Sequence, residues 1–310
     1  MDYPSKVYLG TRSSPLSLMQ TAYVLNLLRT NHPNIEFIIV KSTTQGDQNK
    51  NAPLESMDRG MFSSDISSAV LSKTIDCALH SAKDLPVVAG TGLVIAGVPK
   101  RSDPRDVLIT KWRLPLDQLP SGARLGTSSL RRKIQIQHIR PDIEILPIRG
   151  NVGTRIDKAM NSTDYDGVIL AASGLIRLGI QDKIDHFLPT ELCTPDIGQG
   201  TLVIEAQKDN ILLAEILSKI THRDTLIALT AERSFVSEIG SNCSTPHAAF
   251  AEVFQDSIQM QVMVASENSR ELYRTKISCD IDTPNQAGKI ALASLINQGA
   301  DIPTMRDKND

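Results

Sequence analysis

Lys6-Val7-Tyr8-Leu9-Gly10-Thr11-Arg12-Ser13-Ser14-Pro15-Leu16 is the stretch on which the fold turns. Lys6–Leu9 is a short strand candidate. Ser13 and Ser14 then precede Pro15, the arrangement of a helix N-cap followed by proline in the first turn. Leu16, Met19, Tyr23, Val24, Leu27 and Leu28 continue at helical spacing. Ile35–Val40 (IEFIIV) reads as a buried strand, so the chain opens β-α-β.

The same plan recurs downstream. Met61–Lys73 suits a helix, and Ile75–Leu79 is a strand running into His80-Ser81-Ala82-Lys83-Asp84-Leu85-Pro86. Leu93–Val98 is a further strand, and Lys100–Asp106 (KRSDPRD) is a charged break and candidate hinge. A second series follows: strand Ala123–Leu125, a helix opened by Gly126-Thr127-Ser128-Ser129, strand Ile143–Ile148, and strand Gly167–Ala171. Such alternation predicts parallel sheets with helices on both faces. Pro195–Gly200 (PDIGQG) is a second break before a strand at Thr201–Ala206, and Asp224–Glu238 is helical. After Cys243 the pattern turns strand-like at Ala248–Phe254, Ile258–Ala265 and Leu272–Ile277, and a helix at Ala287–Gln298 follows, giving a smaller α+β domain. The polar segment Thr43–Gly60 reads as a long surface loop, either a binding loop or a passive one.

The 310 residues suit two or three domains, and 41% apolar content supports an ample core without a metal or disulfide staple. A net charge of -2 excludes a generally basic nucleic-acid binder. No run of eighteen apolar residues predicts a membrane span, and the N-terminus lacks a signal-peptide pattern. Cys77, Cys193, Cys243 and Cys279 form no Cys-x-x-Cys pair or zinc spacing, so a cytosolic protein with reduced thiols is expected and no metal site is.

Ligands of open α/β sheets bind beyond the carboxyl ends of strands. The segments at those ends carry Arg12, Lys83 with Asp84, Arg131 with Arg132, Arg149, Arg155 and Arg177. Guanidinium groups take carboxylates or phosphates in bidentate fashion, so a cleft between two α/β domains holding a multiply charged anion is expected. Each arginine alone also reads as a solvated surface residue, and Arg131 and Arg132 would point about 100° apart on a helix. That leaves open a division in which one faces the ligand and the other only forms a salt bridge. Asp84 is either an exposed turn residue or a carboxylate placed to face a cation. Cys243, among small turn-forming residues, is either an ordinary loop cysteine or an accessible nucleophile or attachment point.

Six ordered segments together resemble one family. They are Leu9–Leu18 (LGTRSSPLSL), Ala78–Pro86 (ALHSAKDLP), Asp103–Asp106 (DPRD), Gly126–Arg132 (GTSSLRR), Arg149–Arg155 (RGNVGTR) and Ile197–Gly200 (IGQG). The chain is similar to porphobilinogen deaminases, also called hydroxymethylbilane synthases, from about Val7 to the C-terminal region. The resemblance implies two periplasmic-binding-protein-like doubly wound α/β domains, residues 1–99 with 200–218 and residues 100–199, plus a smaller α+β domain, residues 219–310, carrying the cofactor cysteine. It implies stepwise head-to-tail condensation of four porphobilinogen molecules with loss of ammonia, then hydrolytic release of the linear tetrapyrrole. A covalently attached dipyrromethane cofactor is implied, with Cys243 as its thioether anchor. Lys83, Ser13, Ser129, Arg131 and Arg132 match cofactor contacts, and Arg12, Arg149, Arg155 and Arg177 match substrate contacts. Asp84 matches the carboxylate that stabilises the cation left by ammonia and helps move protons. A cytoplasmic monomer without nucleic-acid or membrane partners is further implied.

Two segments depart from the family pattern: Gly240-Ser241-Asn242 before Cys243, and Met57-Asp58-Arg59-Gly60-Met61-Phe62 in the long loop. The competing readings are a non-catalytic anion-binding module of the same two-lobed plan and a degenerate homologue that binds pyrroles without turnover.

Overall fold

The computed structural model describes residues 3–42, 64–87, 92–240, 246–266 and 271–302. In chain order its elements begin with β1 (Lys6–Arg12), α1 (Pro15–Asn31), β2 (Glu36–Ser42), α2 (Ser64–Leu71), β3 (Cys77–Ser81) and β4 (Leu93–Gly97). Next come β5 (Asp106–Thr110), β6 (Arg124–Gly126), α3 (Leu130–Ile139), β7 (Glu144–Leu146), α4 (Val152–Asn161), β8 (Gly167–Ala171), α5 (Ala172–Arg177) and β9 (His186–Leu188). The chain continues with β10 (Leu202–Gln207), α6 (Ile211–Ser218), α7 (Arg223–Ile239), β11 (His247–Phe254), β12 (Ser257–Ala265), β13 (Leu272–Asp280) and α8 (Ala287–Asn297). They form two compact units, Met1–Ser102 with Thr201–Leu226 and Asp103–Gly200 with Ile227–Asp310.

The first unit holds a five-stranded sheet in the order β2-β1-β3-β10-β4. The second holds another in the order β7-β6-β8-β5-β9, and the antiparallel sheet β11-β12-β13. The two larger sheets share one plan. Numbering each sheet's own strands from its first βα unit gives 2-1-3-n-4, where n is β10 in one and β5 in the other. Strand n is antiparallel to both neighbours, while β1 with β2 and β3, and β6 with β7 and β8, run parallel. This is the expected doubly wound α/β class with a smaller sheet beside it, with one correction: the sheets are mixed, not parallel. A parallel neighbour requires a crossover within its own sheet. β5 and β10 are each reached from a strand of the other large sheet, so no such crossover fixes their direction, and alternation of βα units carries no sign of that direction.

Local sequence explains the main elements. Ser14 caps α1, its Oγ accepting from the Ser17 N–H at 3.2 Å, and Pro15 occupies the first turn. The β1 residues Val7 and Leu9 pack with Val24 and Leu28 of α1, Phe37 of β2 and Ile216 of α6. In the second unit, successive residues of β5 and β8 go to opposite clusters. Leu108 and Ile169 join Leu125 and Ile136 on one face, whereas Val107, Ile109, Val168 and Leu170 join Ile156 and Leu175 on the other. A sheet covered on both faces needs such apolar strands. In the small sheet, Phe254 pairs with Ser257 across a two-residue turn, where Gln255 takes a φ of 54°. Among the described residues no helix is long and apolar enough to cross a membrane.

Candidate active site

The second unit carries the densest charge cluster. Ser129 caps α3, its Oγ accepting from the Arg132 N–H at 3.4 Å, so Arg131 and Arg132 fall in the first turn. The two side chains are 7% and 8% exposed. Both reach the same carboxylate. Arg131 Nη1 lies 2.7 Å from Asp106 Oδ2 and Arg132 Nη2 lies 2.8 Å from Asp106 Oδ1, and Asp106 is wholly buried at the head of β5. Arg132 also donates through Nε to Asp106 Oδ1 at 3.0 Å, through Nη1 to the Ile169 carbonyl at 3.0 Å, and to Gln199 Oε1 at 3.4 Å. Arg131 donates through Nη1 to the Thr194 carbonyl at 2.6 Å, whereas its Nε is buried without a partner.

Burial opposes the charge on Asp106, but Arg131 and Arg132 outweigh it and hold the carboxyl far below the usual carboxylate range. Burial likewise opposes the Arg131 cation, and Asp106 outweighs that, raising its pKa. Cys193 donates to Asp106 Oδ2 at 3.3 Å, and its thiol is pushed up to about 12, mainly by burial and then by Asp106. It is an inert buried donor rather than a purely apolar core residue.

Around this centre the motifs acquire physical reasons. In Ile197-Gly198-Gln199-Gly200, both glycines take positive φ, 70° and 87°. That left-handed backbone lets the buried Gln199 donate through Nε2 to Asp106 Oδ1 at 2.9 Å and to the Pro104 carbonyl at 2.7 Å. Arg105, beside them, pairs with Asp103 at 2.5 Å and lies 4.2 Å over the Phe187 ring. Arg177 donates to the Gly200 carbonyl at 2.6 Å.

The Arg149–Arg155 segment joins β7 to α4. Asn151 caps α4, accepting from the Thr154 N–H at 2.8 Å. Arg155 Nε donates to the Gly150 carbonyl at 2.7 Å. Burial and then the neighbouring charge of Arg132 depress the Arg155 pKa, so this guanidinium stands near the arginine pair without a carboxylate of its own among the described residues. Arg149 is half-buried at the start of the same turn.

In the first unit, Arg12 ends β1 and Ser13 donates its N–H to the Ser42 carbonyl at 3.2 Å. β3 ends at Ser81 and passes into a 3-10 turn, Ala82–Asp84, pinned by the Ala82 N–H to the Thr201 carbonyl at 3.0 Å. Lys83 and Asp84 are half-buried on this turn. Beneath it, His80 and Glu205 are buried, with His80 Nε2 3.5 Å from Glu205 Oε2. That separation is an ion-pair distance rather than a hydrogen bond, whereas Ser67 donates to Glu205 Oε2 at 2.5 Å. Cys243 and the Thr43–Gly60 loop lie outside the described residues; α7 ends at Ile239 and Gly240 follows with φ 84°.

Sequence reasoning missed Asp106, Cys193, Gln135 and Gln199 as members of the cluster. Asp106 was read as part of a charged break. The available signal was an aspartate placed directly before Val107-Leu108-Ile109, an acid at the mouth of a buried strand.

The donor set fits a carboxylate-bearing ligand. Two arginines share the Asp106 carboxylate, and among the described residues the buried Nε atoms of Arg131 and Arg274 lack a hydrogen-bond partner. Among the described residues no group of three or more histidines, cysteines or carboxylates is arranged to hold a metal ion.

Comparison with known proteins agrees with this chemistry. A family model described as porphobilinogen deaminase, dipyrromethane cofactor binding domain, matches residues 7–215, and one for the porphobilinogen deaminase C-terminal domain matches residues 226–297. A porphobilinogen deaminase of Syntrophus aciditrophicus is 40% identical over 295 residues, covering 95% of this chain and 96% of its own. That of Syntrophomonas wolfei is 40% identical over 292 residues, covering 94% and 95%. Among solved structures, the methionine binding protein MetQ aligns with 70% of this chain and 89% of its own at 11% identity and a TM-score of 0.43.

Proposed function

The chain belongs to the porphobilinogen deaminase family, and from that premise we propose the part each of its residues takes in hydroxymethylbilane synthesis. The reaction joins four porphobilinogen molecules head to tail, expelling ammonia at each step, and releases the linear tetrapyrrole to water. Every added ring brings two carboxylates, so the growing chain is a polyanion. The observation that carries the reading is the cluster in the second unit, where Arg131 and Arg132 share one buried carboxylate and Arg155 stands beside Arg132.

When bound, the dipyrromethane cofactor supplies the primer to which new rings are added. Cys243 anchors it. Arg131, Arg132, Lys83, Ser13 and Ser129 hold its carboxylates and ring nitrogens. Arg12, Arg149, Arg155 and Arg177 bind the carboxylates of incoming and elongated rings and fix their orientation. Bidentate guanidinium–carboxylate pairing provides both energy and direction. Asp84 is the catalytic carboxylate. It stabilises the positive charge left on the substrate carbon as ammonia departs, and it accepts and returns the proton at its carboxylate oxygen. A fixed anion beside developing positive charge lowers the barrier electrostatically. Asp84 in turn forms part of the cofactor's seat. The protein acts in the cytoplasm as a monomer.

The test is the intact mass of the purified protein and its turnover of porphobilinogen. A mass excess equal to two pyrrole units, absent from Cys243→Ala, is expected. In Asp84→Asn the adduct persists while turnover falls by at least about a hundredfold, the scale of a proton-transfer contribution. An active, unmodified protein, or near-normal turnover of Asp84→Asn, refutes these assignments.

A further inference from the structure

The arginine pair raises a physical question that its ligand does not answer. Two adjacent cations in the first turn of a helix meet the positive end of its dipole, repel each other, and are buried. The first turn of α3 contains no acidic residue to compensate. The compensation comes from β5. Asp106 offers one oxygen to each guanidinium, Oδ2 to Arg131 at 2.7 Å and Oδ1 to Arg132 at 2.8 Å. Gln199 and Cys193 add donors to the same two oxygens, at 2.9 and 3.3 Å.

The charged groups facing this centre come from five segments: Arg131 and Arg132 of α3, Arg155 of α4, Arg274 of β13, Asp106 of β5, and Asp196 of the 189–201 connection. The hydrogen bonds of Arg132 occupy Nε, Nη1 and Nη2, whereas those of Arg131 run through Nη1 and leave its buried Nε unpartnered. Arg131 is therefore held at one corner and retains donors for a further carboxylate. Gln135 ties the same helix to the C-terminal sheet: its Oε1 accepts from Arg274 Nη2 at 3.2 Å and from the Thr194 N–H at 2.8 Å.

We propose that Asp106 is a positioning residue of the anion site, its one buried carboxylate holding Arg131 and Arg132 side by side so that Arg131 keeps an unpaired edge for a ligand carboxylate. The proposal rests on the deaminase reading for the identity of the ligand, but not for the geometry. Removing the negative charge leaves two guanidiniums in mutual repulsion, and they separate.

The test compares Asp106→Asn and Asp106→Glu with the parent in two settings. In the loaded enzyme, KM and kcat for porphobilinogen and the fraction carrying the two-pyrrole mass are measured well below each variant's melting temperature. In the Cys243→Ala background, calorimetry measures binding of citrate as a polycarboxylate probe. Asp106→Asn is expected to weaken citrate at least tenfold and to raise KM at least tenfold or empty the cofactor site. Asp106→Glu keeps the charge and is expected to lie between the two. A merely structural aspartate would lower the melting temperature and leave KM, loading and citrate affinity of the folded protein at parental values, and that result overturns the proposal. If Asp106→Asn does not fold, Asp106→Glu decides alone: a parental KM and citrate affinity overturn it, and a severalfold loss supports it. Absence of citrate binding in the Cys243→Ala background also overturns it. A parent enzyme without adduct or turnover would defeat the deaminase reading, while the citrate measurements still decide the part played by Asp106.

Discussion

Gly150 and Gly153 stand three residues apart in Arg149-Gly150-Asn151-Val152-Gly153-Thr154-Arg155, and replacing each by alanine should have opposite effects. Gly150 has a φ of 126°, which an L side chain rarely adopts. A Cβ there would lie 2.7 Å from Thr154 Cγ2 and 2.8 Å from Thr154 Cβ. The second atom is fixed to the helix backbone, so no rotamer change relieves the overlap. Backbone strain of this kind costs about 1–3 kcal/mol, and relief requires the turn to shift by several tenths of an ångström. Arg155 hangs on that turn, its Nε bonded to the Gly150 carbonyl at 2.7 Å, so the shift reaches the guanidinium. Misplacement of a binding group by about 1 Å can cost a hundredfold in rate. Gly153 lies inside α4, and a Cβ there meets only Asn151 Oδ1 at 3.6 Å, an ordinary contact. Alanine in a helix is favoured over glycine by about 0.5–1 kcal/mol. Urea unfolding and steady-state kinetics on porphobilinogen should therefore show Gly150→Ala destabilised with KM raised, and Gly153→Ala slightly stabilised with KM unchanged. Equal stability and equal KM in the two variants would refute the claim that the left-handed turn sets the position of Arg155.

Asp106→Asn should destabilise the protein by about 3–5 kcal/mol at neutral pH, the usual result of removing one partner from a buried ion cluster. The folded carboxyl of Asp106 is held below its unfolded range, so its contribution is complete above the unfolded value of about 4 and declines as pH falls towards the folded one. Denaturant titrations should show the gap between parent and Asp106→Asn constant from pH 7 to about pH 5 and narrowing below about pH 4; a gap that widens on acidification contradicts the pairing. In the C-terminal sheet domain, a Cβ on Gly288 would fall within the Ser234–Phe235 peptide of α7, so Gly288→Ala should cost about 1–3 kcal/mol or more in a thermal melt, and an unchanged melting temperature would show that α8 does not need that close approach.

The β-α-β opening, the two similar α/β halves and the late strand-like domain were legible because period-2 and period-3.6 patterns survive wherever one face of an element is apolar. Ser14, Ser129 and Asn151 sit at helix starts where local chemistry alone puts a cap. β5 escaped notice for a physical reason. Its apolar run is only Val107-Leu108-Ile109, its first residue is the buried Asp106, and it follows Arg101, Asp103 and Arg105. A charge that pairs in the interior is indistinguishable in sequence from one that faces water. The same limit explains why the shared partner of Arg131 and Arg132 is not legible: helical spacing sets the direction of each Cα–Cβ bond, but an arginine side chain is long enough to bend back to one carboxylate.

Two buried ionisable clusters among the described residues differ in the groups they bring together. Near the Lys83–Asp84 turn, Glu205 accepts from Ser67 and lies 3.5 Å from His80 Nε2, which is itself buried without a hydrogen-bond partner, so one carboxylate faces one imidazole. Around Asp106 two guanidiniums share one carboxylate, Asp196 also acts on Arg131, Arg155 stands beside Arg132 as a further cation, and the Arg131 Nε is buried without an acceptor. If stability alone governed, one arginine with one aspartate, or an apolar pair of similar volume, would do as well or better. Excess buried positive charge is tolerable only if an anion completes it during the working cycle. A chain with a net charge of -2 has concentrated that excess at helix starts beside strand ends, which is where an oligopyrrole gaining two carboxylates per step would need it.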